Sequence, residues 1–155
     1  MTAQRPDRRR VLAGAAGTVL AVALRPAGAA PLPRTETTES AIRRFAGTSA
    51  IRPGRVTLDL PPLVENGNTV PLSVSVESPM IPADHVRRIG VFNERNPQPN
   101  VVTVHLGPEA GRAQVATRIR LADSQRITAI AEMSDGTYWS ASADAIVTLA
   151  ACLEG

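Results

Sequence analysis

From Gly54 onward, apolar side chains recur at every second position. Val56, Leu58 and Leu60 alternate with polar neighbours, and Val70, Leu72, Val74 and Val76 do so again after Glu65-Asn66-Gly67-Asn68. A period of two places alternate residues on one buried face of a strand. Asn-Gly between two such runs predicts a hairpin, because both central residues of its tight turn must tolerate positive φ. Further runs follow at Val86–Asn93, at Val101–Leu106 and at Val115, Thr117, Ile119 and Leu121, with Arg118 and Arg120 on the outer face of the last. Ile127–Met133 gives another run, Asp135-Gly136 turns into Thr137-Tyr138-Trp139, and a final run covers Ala145–Leu149. Asn96-Pro97-Gln98-Pro99 must be a loop, since proline cannot donate to a sheet ladder. Ahead of the strands, Ile42 and Phe45 share one face of a short helix predicted over Ser40–Ala46, with Gly47 as its stop. About seven short strands with turns between them predict an all-β fold, an antiparallel β-sandwich preceded by one short helix. The boundaries expected are 30–53 for a Pro-containing leader and the helix, 54–149 for the sandwich and 150–155 for a tail.

Residues 1–29 have the three parts of an export signal. Arg5, Arg8, Arg9 and Arg10 make a basic start, Val11–Leu24 is an apolar run too short to span a bilayer, and Ala27-Gly28-Ala29 fits a small-x-small cleavage site. Asp7-Arg8-Arg9-Arg10-Val11-Leu12 resembles the twin-arginine motif, so Arg8 and Arg9 are its expected signal residues. Cleavage is expected after Ala29. The mature chain is expected in the bacterial periplasm, free of the membrane. This changes the charge argument. Five arginines and one aspartate lie in the signal, out of 17 basic and 14 acidic residues, leaving 12 basic and 13 acidic and a net charge of −1. A nucleic-acid partner, which the whole chain's +3 would invite, loses its support.

Candidate chemistry is sparse. There is no G-x-S-x-G elbow, no H-E-x-x-H and no cofactor motif. The two histidines, His85 and His105, have no cysteine or carboxylate at metal-ligand spacing between them, so neither a catalytic centre nor a metal site is expected. His85 reads as a hydrogen-bonding loop residue and His105 as a strand-face residue. Gly107–Arg112 reads as a turn. Arg112, Arg118, Arg120 and Arg126 read as a solvated face with ion pairs to Asp123 and Glu132, or as a surface for an anion. The chain's one cysteine, Cys152, lies three residues before Gly155. A single cysteine in an exported protein points to an intermolecular bond or a reactive thiol.

Several ordered segments carry a resemblance: Glu65-Asn66-Gly67, Val70-Pro71, Ser78-Pro79-Met80, Ala83-Asp84-His85-Val86, Leu106–Ala113, Thr117–Gln125 and Ala131–Gly136. Together they resemble SoxY, the sulfur-carrier subunit of the periplasmic thiosulfate-oxidising system, across roughly residues 40–152. The resemblance implies an immunoglobulin-like sandwich that forms a heterodimer with a SoxZ-like subunit. It implies a carrier cysteine, here Cys152, to which thiosulfate is joined oxidatively by a c-type cytochrome enzyme. Other periplasmic enzymes would then process the bound sulfur, so the carrier itself is not an enzyme. The family's cysteine lies in a Gly-Gly-Cys-Gly-Gly tail. Here Ala150-Ala151 precede the cysteine and Leu153-Glu154 follow it.

Overall fold

The structure, a computed structural model, describes Arg34 and residues 36–151. The export signal with Arg8 and Arg9, and the tail from Cys152 onward, lie outside the described residues. Two sheets pack face to face. The larger has the order β1 (Ile51–Pro53), β9 (Tyr138–Val147), β8 (Gln125–Met133), β5 (Val86–Asn93), β6 (Asn100–His105), and β3 (Leu63–Val64) also pairs with β9. The smaller has the order β2 (Val56–Asp59), β4 (Val70–Val76), β7 (Gln114–Ile119). The all-β sandwich expected from the alternation is therefore the fold. Val70, Leu72, Val74 and Val76 face Val86, Ile89, Val91, Ile127, Ala129 and Ala131 across one aliphatic core. No helix among the described residues is long and apolar enough to cross a membrane.

The helix α1 (Thr38–Ala46) starts at Thr37, whose side-chain oxygen accepts from the Ser40 amide at 3.1 Å. It stops at Gly47, where φ is +63° and the amide donates to the Arg43 carbonyl at 2.7 Å. Glu39 in the first turn and Arg43 and Arg44 in the last complement the helix dipole. Ala41, Phe45 and Ala46 pack on Phe92, Ile130 and Tyr138, on the face of the large sheet that points away from the main core. Phe45 meets Phe92 edge-on at 5.6 Å and Tyr138 at 6.2 Å between ring centroids. This second layer explains why β5 and β8 read as nearly continuous apolar runs. Both of their faces are covered.

Gly90 is the point of closest approach. A Cβ there would lie 2.9 Å from both the Phe45 and the Phe92 ring. Beside it, Arg88 bonds the buried Glu132 carboxylate and donates to the Phe45 carbonyl at 3.1 Å, and its guanidinium lies 4.5 Å from the centre of the Phe45 ring. One side chain thus ties β5, β8 and α1.

Three features depart from the sequence expectation. β1 and β3 are extra short strands that run parallel to β9, pairing Ile51 with Tyr138 and Leu63 with Ile146. β9 is a single ten-residue strand, whereas its Ser-Ala-rich middle carried no apolar period. The Asn66-Gly67 hairpin is absent. β2 and β4 do pair, Val56 with Val76, but the chain between them leaves their sheet to form β3. The positive-φ glycines among the described residues are Gly47, Gly54, Gly111 and Gly136, so Gly67 serves another purpose.

Two substitutions test this packing. Gly90→Ala should cost about 1–3 kcal/mol, the range for overfilling a closed site, because aromatic rings on both sides must shift. Arg88→Ala should cost about 2–3 kcal/mol, below the fully buried range because Arg88 is part-exposed, through the unpaired Glu132 and the loosened helix. Urea denaturation at neutral pH measures both.

Candidate functional site

The candidate site is the root of the C-terminal tail, where the chain leaves β9 for Cys152. Cys152 itself lies outside the described residues, and the residues before it define its anchor. The Ile146 amide donates to Pro62 at 2.9 Å, and the Thr148 amide donates to Val64 at 2.9 Å. The Thr148 hydroxyl lies 3.3 Å from the Val64 carbonyl and 3.2 Å from that of Glu65. On the other edge, the Val147 amide donates to the Ser124 hydroxyl at 2.8 Å. β9 ends at Val147, yet the backbone stays bonded well beyond it.

The next contacts centre on Gly67. Its amide donates to the Leu149 carbonyl at 2.8 Å, and its own carbonyl accepts from the Leu121 amide at 2.8 Å. The Leu121 carbonyl then accepts from the Ala151 amide at 3.0 Å. Gly67 and Ala151 are both buried. A Cβ on Gly67 would stand 2.4 Å from the Leu121 oxygen, 2.8 Å from the Ala151 nitrogen and 3.1 Å from the Leu149 oxygen. Only glycine lets these three backbones meet. The backbone is therefore held as far as the residue immediately before the cysteine.

Leu121 is in turn fixed by a network of side-chain amides. The Asn96 side-chain oxygen accepts from the Ala122 amide at 3.0 Å and from the Gln125 side-chain nitrogen at 2.9 Å, while its nitrogen donates to the Arg120 carbonyl at 2.8 Å. The Gln125 oxygen accepts from the Arg95 amide at 2.8 Å. The Asn93 oxygen accepts from the Asn96 amide at 3.0 Å, and its nitrogen donates to Gln98 at 3.0 Å. Asn93 and Gln125 are buried, so each needs these partners, and the loops over 93–98 and 120–125 become one rigid shelf. The surface around the root is apolar. Leu63, Ile146 and Leu149 are 59%, 61% and 61% exposed, and Leu63 and Ile146 are cross-strand neighbours.

Other residues singled out in the sequence fall elsewhere. His85 and His105 come together in a cleft of about 450 Å³ with Arg87, Arg88, Leu106 and Glu132, where His85 Nδ1 donates to the Ile81 carbonyl at 3.2 Å. This cleft adjoins the far end of β8, and Glu132 is seven residues from Gln125, ~23 Å along a strand. It therefore cannot serve the tail root. Among the described residues, no three His, Cys, Asp or Glu side chains are placed to hold a metal ion. Two of the arginines in the 112–126 stretch lie on different sheets, Arg118 on β7 and Arg126 on β8. Arg126 pairs with Asp144 at 3.0 Å, which raises its pKa, while Arg118 lies on the outer face of the small sheet beside Asp59 and Pro71. The ion pairs expected for that group go to other residues, Asp123 to Arg95 and Glu132 to Arg87 and Arg88. Gly67, Leu121 and the Asn93–Asn96–Gln125 network were not legible as site residues. Their only signal was polar amides at the ends of apolar runs.

No curated protein matches the chain by sequence. Among solved structures, the sulfur carrier protein SoxY from Chlorobium limicola f. thiosulfatophilum superposes with a TM-score of 0.60 at 24% identity, covering 72% of this chain and 96% of that one. A superoxide reductase (neelaredoxin) variant from Ignicoccus hospitalis gives a TM-score of 0.54 at 21% identity, covering 59% of this chain and 78% of that one. A putative superoxide reductase from Thermotoga maritima gives 0.52 at 21% identity, covering 66% and 89%. These likenesses establish the fold. The family model for sulfur oxidation protein SoxY matches residues 42–152, from α1 through the whole sandwich to the cysteine, and the chain belongs to the SoxY family.

Proposed function

We propose that this chain is a periplasmic sulfur carrier that holds thiosulfate-derived sulfur covalently on Cys152. The supporting observation is that the family match runs through to residue 152, so the chain's one cysteine falls inside it. The chemistry needs only a thiol. Cys152 and thiosulfate join through a new sulfur–sulfur bond, with loss of the thiol proton and transfer of two electrons to an oxidant, a c-type cytochrome enzyme. Water then attacks the terminal sulfonate, which leaves as sulfate with two protons and keeps one sulfur on the cysteine as a persulfide anion. Catalysis of both steps belongs to partner enzymes. A rigid sandwich with one thiol at its end suits the role of a handle, and pairing with a SoxZ-like subunit completes the carrier. The twin-arginine-like segment at Arg8 and Arg9 would export the chain folded, together with that partner.

A second reading has a specific observation behind it. The Ala-Ala-Cys-Leu-Glu-Gly tail lacks glycine flanks and its backbone is held through Ala151, which suits an interaction module whose thiol carries nothing. Intact mass of the protein from the periplasm of thiosulfate-oxidising cells, with and without reductant, separates the two. The carrier predicts sulfur-containing adducts that map to Cys152, vanish on reduction and are absent from Cys152→Ser, with thiosulfate oxidation lost in that variant. A bare thiol in the wild type and unchanged oxidation in Cys152→Ser would establish the module.

A further inference from the structure

The carrier reading requires Cys152 to enter a partner's active site, and the tail root limits how far it can go. With Ala151 bonded to Leu121, Cys152 is one residue beyond a buried anchor, ~3.6 Å of chain. If the root releases back to Thr148, which β3 holds independently, four residues become free, ~14 Å of extended chain. Two bonds separate these states, Gly67 to Leu149 and Ala151 to Leu121, and both depend on the absence of a side chain at position 67.

We propose that Gly67 is a positioning residue for the carrier thiol. Its backbone latches Leu149–Ala151 onto the Leu121 shelf, and the latch must open before the cysteine can reach into a partner. The reasoning is geometric. The Gly67 neighbours at 2.4 and 2.8 Å are backbone atoms of two other segments, so a side chain there displaces the tail or the shelf. The shelf is braced by Asn96 and Gln125, whereas Leu149–Ala151 has no such support. The tail is the part that yields. The exchange also explains how a tail without glycine flanks can serve a carrier, since its reach comes from unlatching a segment of the root.

The test compares full-length exported protein with reduced Cys152 in wild type, Gly67→Ala and Ala151→Pro. The proline removes the amide that bonds Leu121, outside both sheets, and serves as the test if Gly67→Ala does not fold. Rates of Cys152 modification by a bulky maleimide-polyethylene glycol and by iodoacetamide are measured under native conditions, and their ratio cancels changes in intrinsic thiol reactivity. The expected result is a rise of about tenfold in that ratio, the factor for losing one or two net hydrogen bonds. Amide exchange should quicken at Ala151 in Gly67→Ala and at Gly67 in Ala151→Pro, while global melting is retained in Ala151→Pro. A wild-type ratio in folded Ala151→Pro would overturn the latch. This rests on the carrier reading for its purpose but not for its readout, because alkylation needs no sulfur cargo. Absence of adducts on Cys152 would defeat the carrier and leave the latch measurement standing.

Discussion

The backbone ladder of β9 is the constraint on which the remainder of this structure depends. Eight of its residues pair with β8, and its other edge takes β1 near Tyr138 and β3 near Ile146. Its middle, Ser140–Asp144, offers small side chains and little apolar area, so there the strand is held by its hydrogen bonds to β8 more than by burial. Its two ends do different work. At one, Tyr138 packs under Phe45 and fixes the helix to the large sheet. At the other, Val147 and Thr148 deliver the chain to Gly67 and Leu121. A register slip in β9 would therefore disturb the helix layer and the tail root together.

The legible parts of the fold were those where side-chain burial follows the pleat. Val70, Leu72, Val74 and Val76 announce β4 outright, and the crowded runs of β5 and β8 report two covered faces, with Phe45 as the ring that covers one. The segments without a pattern are short edge strands, each placed by its backbone pairing with β9 and by one apolar side chain, Ile51 or Val64. Ile51–Pro53 and Leu63–Val64 are too short for any period, and nothing in their side chains signals parallel pairing. Asn66-Gly67 had a signal that pointed to the wrong cause. A glycine demanded by positive φ and one demanded by close approach look the same in a sequence. The same holds for the site. Cys152 stood out as the chain's one thiol, but its anchor is made of amides and carbonyls from Gly67, Leu121, Leu149 and Ala151, which have no side-chain signature.

The polar network behind Leu121 is a costly way to build a loop unless the loop must be still. Asn93 and Gln125 are buried, and each would be destabilising if it lost its partners. Their donors and acceptors are met by loop backbone at Gln98 and Arg95 and by the Asn96 side chain, so two connections between strands are fixed to one another. Asn96 is the hub, because it spends both ends of its amide on the 120–125 loop. This braced shelf gives Leu149–Ala151 a firm template through Leu121 and Gly67.

A sandwich shared by a sulfur carrier and by superoxide reductases shows that this fold does not choose a chemistry. In this chain the choice has to be made by what is attached to the sandwich and by how firmly. Two net backbone hydrogen bonds, about 0.5–1.5 kcal/mol each, would hold the tail against its root. That strength leaves the open tail populated at roughly one part in six to one part in a hundred and sixty. A tail held much more tightly could not be taken by a partner without large compensating contacts, and one held much more loosely would leave its thiol open to other thiols. Leu63, Ile146 and Leu149 are exposed beside this root, and burying that apolar surface against a partner would offset part of the cost of opening it. Reach and protection of the thiol are then two sides of one modest equilibrium, set by a glycine that belongs to a different part of the chain.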